Sequence, residues 1–144
     1  MTERSTRPSG LTILNPGTMN DPAALAYSNV AIVPAGARTV FVAGQVGSGS
    51  PKGTYAEQVD QAFDSIRLAM EAAGGSMADV AKLVVYIVDH DAAKHDVLKR
   101  AVKAAFGDRL APTCTIVPLT QSGTSPDQLV EIEATGVLPP EVTG

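Results

Sequence analysis

The chain has 144 residues, room for one ordinary domain and too few for two. Hydrophobic residues make up 44% of it, enough for a core, while charged residues make up 18%, below the roughly 25% of most soluble domains, so some surface suits burial against another chain. The net charge of −4 argues against general nucleic-acid binding, the single cysteine excludes an intrachain disulfide, and no apolar run approaches the roughly 18 residues that span a membrane.

Residues 1–10 are polar, with Pro8 and Gly10, and read as a loose tail without the apolar segment of a secretory signal. With the lone cysteine this points to the cytoplasm. Residues 11–138 form the expected domain and 139–144 a second tail. Val30–Val33 and Arg38–Val46 are apolar and β-branched around Pro34-Ala35-Gly36-Ala37, which predicts a β-hairpin. Gly44 inside the second strand signals a bulge or a close backbone approach. The Gly47-Ser48-Gly49-Ser50 stretch has loop composition and no phosphate-binding Lys-Ser/Thr ending.

Thr54 and Glu57 form a capping box for a helix over 55–73. Val59, Ala62, Phe63, Ile66, Met70 and Ala73 recur every three or four residues, and Gly74-Gly75 ends it. After a capped turn at 76–79, Leu83 to Val88 is apolar at every position, a pattern that needs cover on both faces of a sheet. The chain has helix enough for one face, so a second copy is expected on the other. Asp91 caps a second helix over 92–106, closed by Gly107, and strands follow at 112–119 and 129–137 around a loop at 120–128. The order ββαβαββ predicts an α+β domain, with a mixed sheet and two helices on one face.

Few residues in this scaffold can carry chemistry. His90 and His95 have no metal-ligand spacing, and no metal or cofactor site is expected. Cys114 reads as a small buried apolar residue. Glu131 and Glu133 share one face of the last strand, with Val130, Ile132 and Ala134 on the other and Leu129 and Val137 on the carboxylates' side. Spacing leaves two readings: a solvated sheet face, or a covered face where a carboxylate handles protons. The basic side of the second helix (Lys94, Lys99, Arg100, Lys103) and Arg109 beyond it read as solvated; no aromatic residues are interleaved to stack nucleic-acid bases.

Three stretches together carry a resemblance: Val40-Phe41-Val42-Ala43-Gly44-Gln45-Val46; Ala72-Ala73-Gly74-Gly75 through Asp79 to Asp89; and Val130-Glu131-Ile132-Glu133-Ala134. In this order and spacing the chain resembles the Rid family, the reactive-intermediate deaminases, also called YjgF-like and, in older usage, L-PSP endoribonucleases. The resemblance covers roughly residues 25–138. It implies a chorismate-mutase-like fold, a homotrimer with the sheets around a central axis, and ligand clefts between subunits. It also implies cofactor-free hydrolysis of reactive enamines and imines to 2-oxo acids and ammonia.

By the same resemblance Glu131 positions water, and Tyr27, Ala43, Gly44, Thr113 and Cys114 line the cleft. The family's substrate-binding Arg position is Pro112 here, in Leu110-Ala111-Pro112-Thr113-Cys114, and the loop 120–128 is longer than usual. Proline offers neither charge nor backbone N–H. Arg109 and Arg38 are the candidates to replace the missing cation. The readings that follow are a Rid-type hydrolase of altered specificity, a non-catalytic metabolite-binding module and, least supported by the charge balance, a ribonuclease or translation inhibitor.

Overall fold

The computed structural model describes residues 1–46, 53–123 and 125–142. The predicted Gly47–Ser50 loop lies outside them. Seven strands and two α-helices run in the order β1 (Glu3–Thr6), β2 (Thr12–Asn15), β3 (Val30–Ile32), β4 (Arg38–Gln45), α1 (Tyr55–Ala72), β5 (Val80–Val88), α2 (Ala92–Phe106), β6 (Thr113–Leu119) and β7 (Val130–Leu138). Short 3-10 turns cover Ala23–Leu25 and Met77–Asp79. The fold is α+β, as the element order predicts.

The main sheet has the order β4-β7-β5-β6, antiparallel except for the parallel pair β5 and β6. The sheet is therefore mixed, and the β5–β6 crossover is α2. Leu83, Val85 and Ile87 of β5 and Val130, Ile132 and Ala134 of β7 face the helices and join Val59, Phe63, Ile66 and Met70 of α1 in one buried core. The capping box at Thr54 is present: its side chain accepts from the Glu57 amide while the Glu57 carboxylate accepts from the Thr54 amide. Asp91 caps α2 by accepting from the Lys94 amide.

Two expectations need correction. The hairpin between β3 and β4 does not form. β3 pairs with β2, in a separate three-stranded sheet β1-β2-β3, and β4 pairs with β7. The turn at Pro34–Ala37 passes the chain between the two sheets. The long β7 ladder, with Val40 and Val42 packing against the helix-side core, outcompetes a three-residue local partner. Residues 1–10, read as a tail, contain β1 and end in a turn whose Arg7 is 6% exposed. Arg7 donates to the carbonyls of Ala78 and Leu110 and to Ser5 Oγ, tying this segment to the chain just before Pro112.

The second sheet closes one end of the main sheet. Leu11 and Ile13 of the β2 segment bury Val137 and Ala81 in a small second core. Val137 thus lies on the carboxylates' side, as alternation requires, whereas Leu129 packs against the helix-side core. The rest of the open face carries Phe41, Val84, Tyr86, Val117, Glu131 and Glu133; Phe41 is 83% exposed.

Candidate functional site

Glu131 sits second in β7, opposite Tyr86 of β5, with its side chain on the open face. Among the described residues its carboxylate is held through one oxygen. Ser122 Oγ and Gln128 Nε2 both donate to Oε2, each at 3.2 Å, and Gln128 Nε2 also reaches Ser122 Oγ at 2.8 Å. Ser122 is 1% exposed and Gln128 is buried. The loop 120–128 therefore reaches back over the start of β7 and grips one carboxylate oxygen. Gln58 of α1 fixes the base of that loop, donating to the Asp127 carbonyl and accepting from the Leu129 amide.

The other oxygen, Oε1, lies against Gly44. Between Val42 and Gln45 the β4–β7 register slips, so that three steps on β4 oppose two on β7. This bulge brings the Gly44 backbone so close to Glu131 that a Cβ there would stand 2.1 Å from Oε1. Both readings of Gly44, bulge and close approach, are met at one residue. Ala43 beside it is exposed on the same face. Tyr86 and Glu133 border the site; partial burial and then the Glu133 and Glu131 carboxylates push the Tyr86 phenol above its ordinary range.

The other expected residues gather elsewhere. The Ser28 amide donates to the Pro112 carbonyl, and Ser28 bridges Thr113 in parallel, so the Tyr27–Ser28 segment lies alongside the start of β6. Thr113 donates to the Ala81 carbonyl. Cys114 faces the helix-side core beside α2, where burial pushes its thiol up to about 11. Burial thus disfavours the thiolate that a nucleophile would need.

β6 and β7 are separated by β5, and Val117, not Thr113, stands level with Glu131. Two strand spacings and four residues of rise place Thr113 about 16 Å from Glu131. One chain thus gathers the expected site residues into two separate groups, half-sites on the expectation of a cleft between subunits: Glu131 with Ala43 and Gly44, and Tyr27 with Pro112, Thr113 and Cys114. Arg38 is bound to the Pro139 carbonyl and paired with Glu141 at 3.6 Å, seven β7 residues, about 23 Å, from Glu131. Arg109 lies near the second half-site, lining a cavity with Tyr27.

The family model described as Endoribonuclease L-PSP matches residues 18–138. The chain belongs to this family. Among solved structures, a Rid-family protein of unknown function from Yersinia pestis is similar over 89% of this chain and 98% of its own, with 25% identity and a TM-score of 0.80. A member of the YjgF/YER057c/UK114 family from Mycobacterium tuberculosis is 30% identical over 89% of this chain and 99% of its own, with a TM-score of 0.59. The YjgF product of E. coli is 25% identical over 69% of this chain, 80% of its own, with a TM-score of 0.59. No protein of curated function matches.

Within this L-PSP/Rid-family chain, Ser122, Gln128 and Arg7 are the residues that sequence reasoning missed. Arg7 acts through contacts distant in sequence, whereas Ser122 and Gln128 fold back within nine residues onto Glu131, and the one signal for them was the unusual length of the 120–128 loop. Among the described residues no group of three or more His, Cys, Asp or Glu could hold a metal ion, and no helix is long and apolar enough to cross a membrane. The His90 and His95 rings lie tilted by 41° with centroids 5.8 Å apart.

Proposed function

We propose that this protein is a Rid-type hydrolase of small imines or enamines, acting without cofactor at a cleft completed by a neighbouring copy in a homotrimer. The observation that carries the reading is the one-sided grip on Glu131: Ser122 and Gln128 hold Oε2, and Oε1 faces the bulge at Gly44. A carboxylate oriented in this way suits a water molecule that must be aimed and deprotonated. Water adds to the imine carbon as Glu131 takes its proton, and the C=N electron pair moves to nitrogen. The proton returns to nitrogen, and the carbinolamine then collapses to a carbonyl and ammonia as its hydroxyl proton passes to the departing nitrogen and the C–N bond breaks. The separation of the two half-sites supports a cleft between subunits, because a small substrate cannot bridge about 16 Å within one chain. Phe41, exposed on the open face near the half-buried Val84, Tyr86 and Val117, supports the same assembly.

The test is hydrolysis of imines generated in situ from amino acids with neutral, acidic and basic side chains. Acceleration by the wild-type protein and a loss of about 100-fold or more in Glu131→Gln is the expected result. Equal rates for both proteins would remove Glu131 from the reaction. One observation favours a second reading, metabolite binding without turnover: Pro112 is buried and engaged through its carbonyl, so the position of the family Arg offers no charge. Saturable binding that survives Glu131→Gln, with no turnover by either protein, would establish that reading instead.

A further inference from the structure

Tyr86 of β5 stands directly opposite Glu131 across the antiparallel β5–β7 ladder, on the same open face. Side chains paired in this way start about 4.5–5.5 Å apart at Cβ, so a phenol oxygen and a carboxylate can touch one small molecule lying over both strands. On its other flank Tyr86 faces Val117 of β6, which offers no polar group, so the phenol finds its partners towards β7. One row along β7, Glu133 stands opposite Val84 and borders the phenol. Lys82, the other ionisable side chain that β5 sets on this face, is four residues and roughly 13 Å away. The Ser122 hydroxyl is committed, donating to Glu131 Oε2 and accepting from Gln128.

The last step of the proposed hydrolysis sets a problem that this placement answers. The carbinolamine carries its hydroxyl and its amine on one carbon, and a proton must pass from oxygen to nitrogen as the C–N bond breaks. Direct passage closes a small, strained ring. An intervening O–H that gives its proton to nitrogen while taking the hydroxyl proton relaxes that ring. Tyrosine suits this part because its one oxygen is both donor and acceptor. Burial, then Glu133 and Glu131, raise the Tyr86 pKa above its ordinary range, so the phenol enters the step with its proton in place.

We infer that Tyr86 is the proton relay of this reaction: its O–H donates to the departing nitrogen while its oxygen accepts the proton of the carbinolamine hydroxyl. The C–N bond breaks, the C=O bond forms, and the tyrosine ends neutral, as it began. The inference rests on the hydrolytic reading of Glu131 and adds a second catalytic residue to it. Glu131 prepares the nucleophile, and Tyr86 serves the leaving group.

The experiment is steady-state hydrolysis of an imine generated in situ from a neutral amino acid, with the wild-type protein, Glu131→Gln and Tyr86→Phe. Each is run over a series of imidazole concentrations at one pH and ionic strength, with the enzyme-free rate subtracted. Tyr86→Phe removes one oxygen from a half-buried side chain and is expected to keep the wild-type urea midpoint. Its kcat is expected to fall about 100-fold with KM nearly unchanged. That loss is expected to shrink as imidazole rises, because a free imidazole can also give and take a proton, while the wild-type rate stays flat. A wild-type rate in Tyr86→Phe, beside a slow Glu131→Gln, would overturn the relay and leave the hydrolysis standing. A slow Tyr86→Phe that imidazole does not restore would also overturn it and make Tyr86 a positioning residue. No acceleration by the wild-type protein would overturn the hydrolytic reading, and the relay with it.

Discussion

Gly44 and Glu131 occupy one volume between them: the carboxylate uses the space that a Cβ would fill. Gly44→Ala therefore forces Oε1 away or opens the bulge. A cost of ~1–3 kcal/mol in urea unfolding is expected, together with loss of the Glu131-dependent rate. A variant with wild-type turnover would show that the close approach is dispensable. Cys114 makes a different prediction. Its folded pKa, about 11, lies above the ordinary value of 9.0. The stability that this provides is full below pH 9 and is lost as pH rises through 11, a span worth at most about 3 kcal/mol. Cys114→Ala should flatten the alkaline fall in stability over that window, and a fall of unchanged depth would assign it to other groups. Glu131 was legible because strand alternation separated it from Val130 and Ile132, and because the stretch around it resembles a family. Ser122 and Gln128 were not, since nothing in a polar loop announces which side chain folds back onto a carboxylate.

At the scale of elements, the loops that carry the site are held by single side chains from distant segments. Gln58 of α1 binds the Asp127 carbonyl and the Leu129 amide, so it ties the 120–128 loop to the helix. Gln58→Leu leaves both backbone groups unpaired at a buried position. A loss of about 2–3 kcal/mol and faster amide exchange at Asp127–Leu129 are expected. Arg7 does the same for the approach to β6, and Arg7→Ala should release Leu110 and Ala78 at a cost of ~1–3 kcal/mol, read by unfolding and by exchange at 110–112. Helices were readable from Thr54, Glu57 and Asp91 because caps and apolar stripes are local signals. β1 and β2 were not, because four-residue strands such as Glu3–Thr6 carry no apolar alternation of their own. The β3–β4 hairpin was misread for the reverse reason: a good turn lay between two apolar runs, but β7 offered the longer partner.

For the whole molecule, the proposed trimer places its contacts on the open sheet face. Sedimentation should give three times the 14.8 kDa chain mass, and Phe41→Asp, which puts a charge on the most exposed apolar side chain of that face, should shift the protein towards single chains. A wild-type monomer at micromolar concentration would contradict the covered-sheet argument. The first seventeen residues precede the family match, yet they are folded into the domain, and Leu11 and Ile13 already seal the Val137 end of this face. They act as a fence. In the proposed trimer this fence would leave a neighbouring copy only the end of the face that bears Glu131 and Tyr86, so the alignment of copies would follow from a segment that each chain lays down on itself.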